Sequence, residues 1–247
     1  MRPWPAWAGT RRRYTQPTDQ PTLDERIAAR GHMVDFRLGR TGLAGIELQD
    51  ALRDVPREVF LDQDEWAVAY EDRPLEDPDG RPVTAPSRLS LQVKAAGIKP
   101  GSRVLELSRE SGYRSAILAS LGADVRRVEE EPAAAFLLEE RMEEVGVEVA
   151  VERGALSSGW QASAPYDVII ADEVAGCDPD SLADQLAEGG RLLVVQGVNL
   201  TRYTVQDGRL RKQGFLPLGN TLPAHDRPWV PDVGIPTMDV LEHTPGF

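Results

Sequence analysis

Residues 89–213 alternate short apolar runs with stretches whose apolar positions recur at helical spacing, and this alternation predicts most of the fold. A helix from Leu89 to Ala96 leads through Lys-Pro-Gly-Ser into an apolar strand, Arg103 to Leu107. There follow a helix from about Gly112 to Leu121, a strand from Asp124 to Val128 and a helix from Pro132 to Val145 with proline at its start. Strands are predicted at Glu148 to Val151 and Tyr166 to Ala171, then a helix from Asp180 to Leu186 and a strand from Arg191 to Val195. Arg202 to Gln206 and Arg209 to Gln213 flank Asp207-Gly208, a strong signal for a type I′ hairpin. Strands alternating with helices imply right-handed crossovers and a parallel sheet covered on both faces. The expected class is therefore α/β: a doubly wound, mostly parallel seven-stranded sheet closed by a C-terminal antiparallel hairpin.

Upstream, Leu43, Ile46, Leu48, Leu52 and Val55 keep helical spacing, which predicts two short helices between residues 24 and 63, ending in VPREVFL at 55–61. The stretch EDRPLEDPDGRPVTAPSR at 71–88 is dense in Pro, Asp and Gly and is expected to be an irregular, functional loop. The organisation predicted is a basic Pro- and Trp-containing arm (1–22), a helical segment with that loop (23–88), the α/β body (89–220) and a Pro-rich C-terminal extension (221–247).

Composition narrows the functional classes. A chain of 247 residues with 41% apolar residues can bury a sizeable core as one domain with appendages. Its net charge of −12 makes nucleic acid and anionic membranes poor partners for the body. The arm departs from this: Arg2, Arg11, Arg12 and Arg13 stand without any acid in residues 1–18, beside Trp4, Trp7 and Tyr14 as apolar anchors. Arm and extension are thus the expected attachment segments for a protein partner. Lone Cys177 allows no intrachain disulfide, no apolar run reaches the roughly 20 residues of a membrane span, and the start lacks a signal-peptide pattern. A cytoplasmic location is expected.

In a doubly wound sheet, ligands bind beyond the carboxyl ends of the strands. Glu106, in the first strand of the body, precedes a turn into a helix, and Glu129 stands at the end of the second strand, a usual place for a carboxylate that accepts ribose hydroxyls. VPREVF (55–60), AYEDRPL (69–75), KPGSRVLEL (99–107), SGY (111–113), GW (159–160), APYDVII (164–170) and QLAEGGRLLV (185–194) together resemble the protein-L-isoaspartate O-methyltransferases, a branch of the class I S-adenosylmethionine-dependent methyltransferases. The resemblance implies S-adenosylmethionine as cofactor, an isoaspartyl protein or peptide as substrate, and no metal.

Carried over residue by residue, the resemblance gives Thr84 the place of the hydroxyl beside the transferred methyl. It gives Glu106, Ser108, Ser111, Gly112, Glu129 and Gly154 to the cofactor site. Several positions depart from the family pattern. Pro82 replaces a threonine, Ser108 and Glu110 replace two of the three glycines of the cofactor turn, Ala155 replaces an aspartate, and Asp172-Glu173 replaces a small uncharged stretch. A like charge at Glu110 about 4 Å from the cofactor's amino-acid end would cost on the order of 4 kcal/mol at a surface-like dielectric. With about 1 kcal/mol for the acceptor lost at Ala155, affinity falls by about three orders of magnitude. Arg109 is the residue placed to offset this by pairing with the cofactor carboxylate. The expectation is a family-like protein with an eroded cofactor site serving as a binding or assembly subunit; the alternative is an active carboxyl methyltransferase that repairs isoaspartyl residues.

Other chemistry is weaker. His32, His225 and His243 lie near no nucleophile motif, and the carboxylates around Cys177 are expected to raise its thiol pKa. Trp160 is expected to pack the sheet edge, and Glu139, Glu140, Glu143 and Glu144 to form a solvated helix face.

Overall fold

The computed structural model describes residues 20–172 and 175–218, so residues 1–19 of the basic arm and the whole of the C-terminal extension lie outside the described residues. The body is a seven-stranded sheet: β3 (Arg103–Leu107), β4 (Asp124–Glu129), β5 (Ala150–Arg153), β6 (Tyr166–Asp172), β7 (Leu186–Gln196), β8 (Asn199–Gln206) and β9 (Arg209–Pro217). Their order in the sheet is β5-β4-β3-β6-β7-β8-β9, with β3 to β7 parallel and the last two antiparallel. From β3 the chain winds outward to β5, then returns beside β3 to begin β6. The sheet therefore has its switch point between β3 and β6, and a crevice forms at their carboxyl ends.

Both central strands are apolar because both of their faces are covered. On one side Val104, Val168, Ile170 and Leu193 pack with Leu89 and with Leu48 and Leu52 from the N-terminal helices. On the other, Leu105, Leu107, Ile169 and Leu192 pack with Leu156 and Leu182. The covering helices are α3 (Pro86–Ala96), α4 (Tyr113–Ser120), α5 (Pro132–Val145) and the short α6 (Pro179–Ala183). At the far edge, Asp207 and Gly208 both take positive φ, 52° and 67°, which is the type I′ turn that Asp-Gly predicts.

Several boundaries differ from the expected ones. Helix α3 starts at Pro86 rather than Leu89, since proline suits the first helical position and the Ser87 N–H is satisfied by Asp72 Oδ1 at 2.9 Å. Strand β5 starts two residues late, where Ala150 comes into register with Arg126. Helix α6 stops at Ala183, and β7 starts at Leu186 rather than Arg191. Leu186 pairs with Tyr166 and Arg191 with Val168, so the Gly189-Gly190 stretch between them is accommodated as a bulge that periodicity does not announce.

In the N-terminal segment, α1 (Leu23–His32) continues into a π-helical stretch, Met33–Gly39, and α2 (Ile46–Asp54) is followed by the 3-10 turn Arg57–Phe60. The supposed irregular loop contains a small hairpin. There β1 (Leu75–Glu76) pairs antiparallel with β2 (Pro82–Val83).

Candidate functional site

Two strand ends supply the walls of the crevice: Glu106 on β3 and Asp172 at the end of β6. Between them lies the guanidinium of Arg114, from the first turn of α4, fully buried. Its Nε donates to Glu106 Oε1 at 2.8 Å, Nη2 to Asp172 Oδ2 at 3.1 Å, and Nη1 to Gln92 Oε1 of α3 at 2.9 Å. Glu110 Oε2 stands 3.8 Å from the same guanidinium.

A second buried arginine comes from β4. Arg127 lies directly across from Glu106 in the β3–β4 register, so the parallel pairing itself brings the two side chains together. Its Nη1 reaches Glu106 Oε1 at 3.4 Å, and its Nη2 donates to Ser108 O at 3.1 Å, to Glu110 O and to Glu129 Oε1 at 2.9 Å. Ser115 donates to the other oxygen of Glu106. From the turn joining β1 and β2, Arg81 closes on Glu129 with a bidentate fork, Nη1 to Oε1 at 3.0 Å and Nη2 to Oε2 at 2.8 Å. Beside this pair is a cavity of about 430 Å³ whose lining includes Arg81, Arg109, Glu129, Glu130, Ala134 and Leu156.

The turn between β3 and α4 is tied down at Ser108, Glu110 and Ser111. Ser108 Oγ donates to Asp172 and accepts from Glu110 N at 3.0 Å. Ser111 N donates to Pro82 O at 2.9 Å, while Arg141 Nη1 reaches Ser111 O at 3.0 Å and Asp77 Oδ2 at 2.9 Å. Gly112 has φ +105°, and a Cβ there would collide with Leu138 of α5, so packing alone requires this glycine. Gly154 donates its N–H to Glu129 O at 3.1 Å and faces the Trp160 ring, which a Cβ would meet at 3.2 Å. Trp160 is partly buried and packs against Gly154, the residue that follows the edge strand β5.

Thr84 is buried on the segment leaving β2, and its carbonyl accepts from Arg57 Nη2 at 3.0 Å. Arg57 also donates to the carbonyls of Ala69 (2.6 Å), Glu71 (3.3 Å), Arg73 (2.9 Å) and Val83 (3.1 Å).

The charges in the crevice set its protonation. Burial pushes the Glu106 carboxyl up, but Arg114 and Arg127 more than offset it and hold the group below the usual carboxylate range. Glu110 goes the other way. Burial, with Asp172 and Glu106 as like-charged neighbours, outweighs Arg114 and Arg127 and raises it from 4.5 to about 7; Arg88 of α3 also faces it. The folded state therefore holds a proton that the unfolded chain has released, so Glu110 costs stability as pH rises from 4.5 to about 7. Between about pH 5 and pH 8 the wild type should lose on the order of 3 kcal/mol relative to Glu110→Gln, measured by urea denaturation. Parallel pH profiles for the two proteins would remove Glu110 from the buried cluster.

The architecture has close counterparts. A family model described as Protein-L-isoaspartate(D-aspartate) O-methyltransferase matches residues 36–214. The protein-L-isoaspartate O-methyltransferase of Gloeobacter violaceus is 38% identical over 192 residues, covering 75% of this chain and 94% of the relative. That of Methylorubrum populi is 35% identical over 170 residues, covering 69% and 80%. This chain belongs to the protein-L-isoaspartate O-methyltransferase family. A solved protein-L-isoaspartate O-methyltransferase superposes with a TM-score of 0.65 at 25% identity, covering 77% of this chain and 67% of that one. A putative Plasmodium falciparum protein of the same name, solved with S-adenosyl-L-homocysteine, gives 0.61 at 18% identity over 78% and 99% of the two chains, a likeness of fold.

Of the residues that the family resemblance points to, Glu106, Ser108, Ser111 and Gly112 share one crevice wall, Glu129 joins them through Arg127, and Gly154 lies behind Glu129. Thr84 reaches the same turn through its neighbour Pro82. Arg109 pairs with Glu130 at 2.5 Å on the exposed side of the turn. The Cys177 thiol is indeed raised, but the cause is burial rather than its acidic neighbours.

The sequence reading passed over Arg57, Arg81, Arg114 and Arg127, which organise the cleft. Glu139, Glu140, Glu143 and Glu144 are exposed as expected, whereas Arg141 among them is buried. Among the described residues no group of three His, Cys, Asp or Glu side chains is arranged to hold a metal ion. Among them, too, no helix is long and apolar enough to cross a membrane.

Proposed function

We propose that this family member does not transfer methyl groups and serves as a binding or assembly subunit. One observation carries the reading: internal arginines already engage Glu106 and Glu129, the two carboxylates assigned to the cofactor site. In this arrangement the residues do not fit S-adenosylmethionine. Its amino-acid end would meet Arg114 and the Glu110 side chain, which is 14% exposed. The basic arm and the C-terminal extension are the segments assigned to a protein partner, since Arg2, Arg11, Arg12 and Arg13 oppose the sign of a body that repels nucleic acid.

Family membership and the hydroxyl at Thr84, on a segment anchored by Arg57, favour a second reading, an active carboxyl methyltransferase acting on isoaspartyl protein or peptide. Calorimetry with S-adenosylhomocysteine, paired with methyl transfer to an isoaspartyl peptide, separates the two. The expected result is no heat of binding at about 1 mM ligand and no transfer. Micromolar binding with turnover that falls in Thr84→Ala would establish the enzyme instead.

A further inference from the structure

Resting on the reading above, we infer that the switch-point crevice is an intact ligand site plugged by two of the chain's own side chains, Arg114 and Glu110. Removing that pair reopens it to S-adenosylhomocysteine.

The geometry of the plug comes first. A doubly wound sheet leaves its crevice where the strand order reverses, here between β3 and β6. Arg114 bridges those two strand ends, and acceptors from three elements converge on it: Gln92 from α3, Glu106 from β3 and Asp172 from β6. Acceptors gathered on one cation are also what a ligand's ammonium group needs. Arg114 therefore stands in the place of a bound cation.

The walls do not depend on the plug. Without Arg114, Glu106 keeps Arg127 and Ser115, and Asp172 keeps Ser108. The backbone of the turn is fixed separately, by Ser111 N on Pro82 O at 2.9 Å, by Arg127 on Ser108 O at 3.1 Å, and by Arg141 on Ser111 O at 3.0 Å. Gly112 holds a left-handed φ of +105° and leaves no room for a Cβ beside Leu138. In the same turn the Ser111 hydroxyl is buried with no hydrogen-bond partner, a polar group that the closed arrangement leaves unused. The cavity of about 430 Å³ beside Glu129 extends the crevice on the β4 side, behind Arg81. The plug pairs one guanidinium with one carboxyl group, ionised above about pH 7, so above that pH both can be taken out without changing the charge of the interior.

The test is calorimetric titration of S-adenosylhomocysteine into the wild type and into Glu110→Gly/Arg114→Ser, with the thermal midpoint of each protein followed with and without ligand. Expected is a silent wild type and, in the variant, a gain in association of at least about 100-fold with a rise in midpoint. A variant with native circular dichroism that stays as silent as the wild type at about 1 mM overturns the plug while leaving the proposed function standing. Micromolar binding by the wild type overturns both. Should the first variant fail to fold, Glu110→Ala/Arg114→Ala removes the same pair and is judged by the same criterion. The volume-preserving pair Glu110→Gln/Arg114→Met is expected to remain silent, and binding by it would overturn the occlusion.

Discussion

Replacing Arg57 by methionine lowers the stability of the folded chain by about 4 kcal/mol, a larger loss than removal of any exposed arginine. The side chain is fully buried and its acceptors are all backbone: the carbonyls of Ala69, Glu71 and Arg73 on one segment and of Val83 and Thr84 on another. Burial draws the guanidinium down to about 10, which leaves it charged at neutral pH, so these are charge-assisted bonds. Methionine fills the volume but takes a donor from five carbonyls, of which that of Glu71 keeps the Arg73 N–H, and each carbonyl left unpaired costs about 1–3 kcal/mol before relaxation and water entry reduce the sum. At about 2–4 °C per kcal/mol for a chain of this size, the midpoint should fall by roughly 8–16 °C. Arg57→Lys should recover less than half, because three donors on one ammonium cannot reach two segments as the planar fork does. Arg53, exposed and paired with Asp35 and Asp50, is the control, expected to cost less than about 1 kcal/mol. Equal losses at Arg53 and Arg57 would show that the loop carrying Thr84 is held by something else.

The sheet was readable from the chain because its signals are local. The apolar run Arg103–Leu107, the proline-started helix Pro132–Val145 and the Asp-Gly turn each depend on residues within a few positions of one another. The bulge in β7 was not readable, because Glu-Gly-Gly looks like a boundary until Tyr166 is seen to pair with Leu186. The cleft was readable in its acids and not in its arginines. Glu106 and Glu129 stand at strand ends, where ligand carboxylates are sought, but Arg127 meets Glu106 only once the register of β3 against β4 is known, and Arg81 lies 48 residues from Glu129. One signal was available. Glu110 and Arg114 are four apart, the spacing of neighbours on a helix face, and the two side chains do approach to 3.8 Å.

The second large effect concerns that neighbour. Arg114→Met should cost on the order of 4 kcal/mol at about pH 8, because removing the cation of a largely buried ion cluster leaves its carboxylates without their shared counter-charge. Glu106 retains Arg127, so the loss falls on Glu110 and Asp172, which then repel one another. This makes the cost depend on pH in a definite direction. Glu110, already raised to about 7, takes up a proton still more readily once Arg114 is gone. The variant's folded state then holds that proton to higher pH than the wild type does, so the deficit grows as pH rises and should shrink to half or less by about pH 5.5. Adding Glu110→Gln removes one of the two repelling charges and should restore about half of the stability at pH 8. A double-mutant cycle on Glu110 and Arg114 should accordingly give a coupling of at least about 1.5 kcal/mol at pH 8 that declines towards pH 5.5. Losses that simply add at both pH values would place Glu110 outside the pair, and closure of the crevice would then rest on Arg114, Glu106 and Asp172 alone.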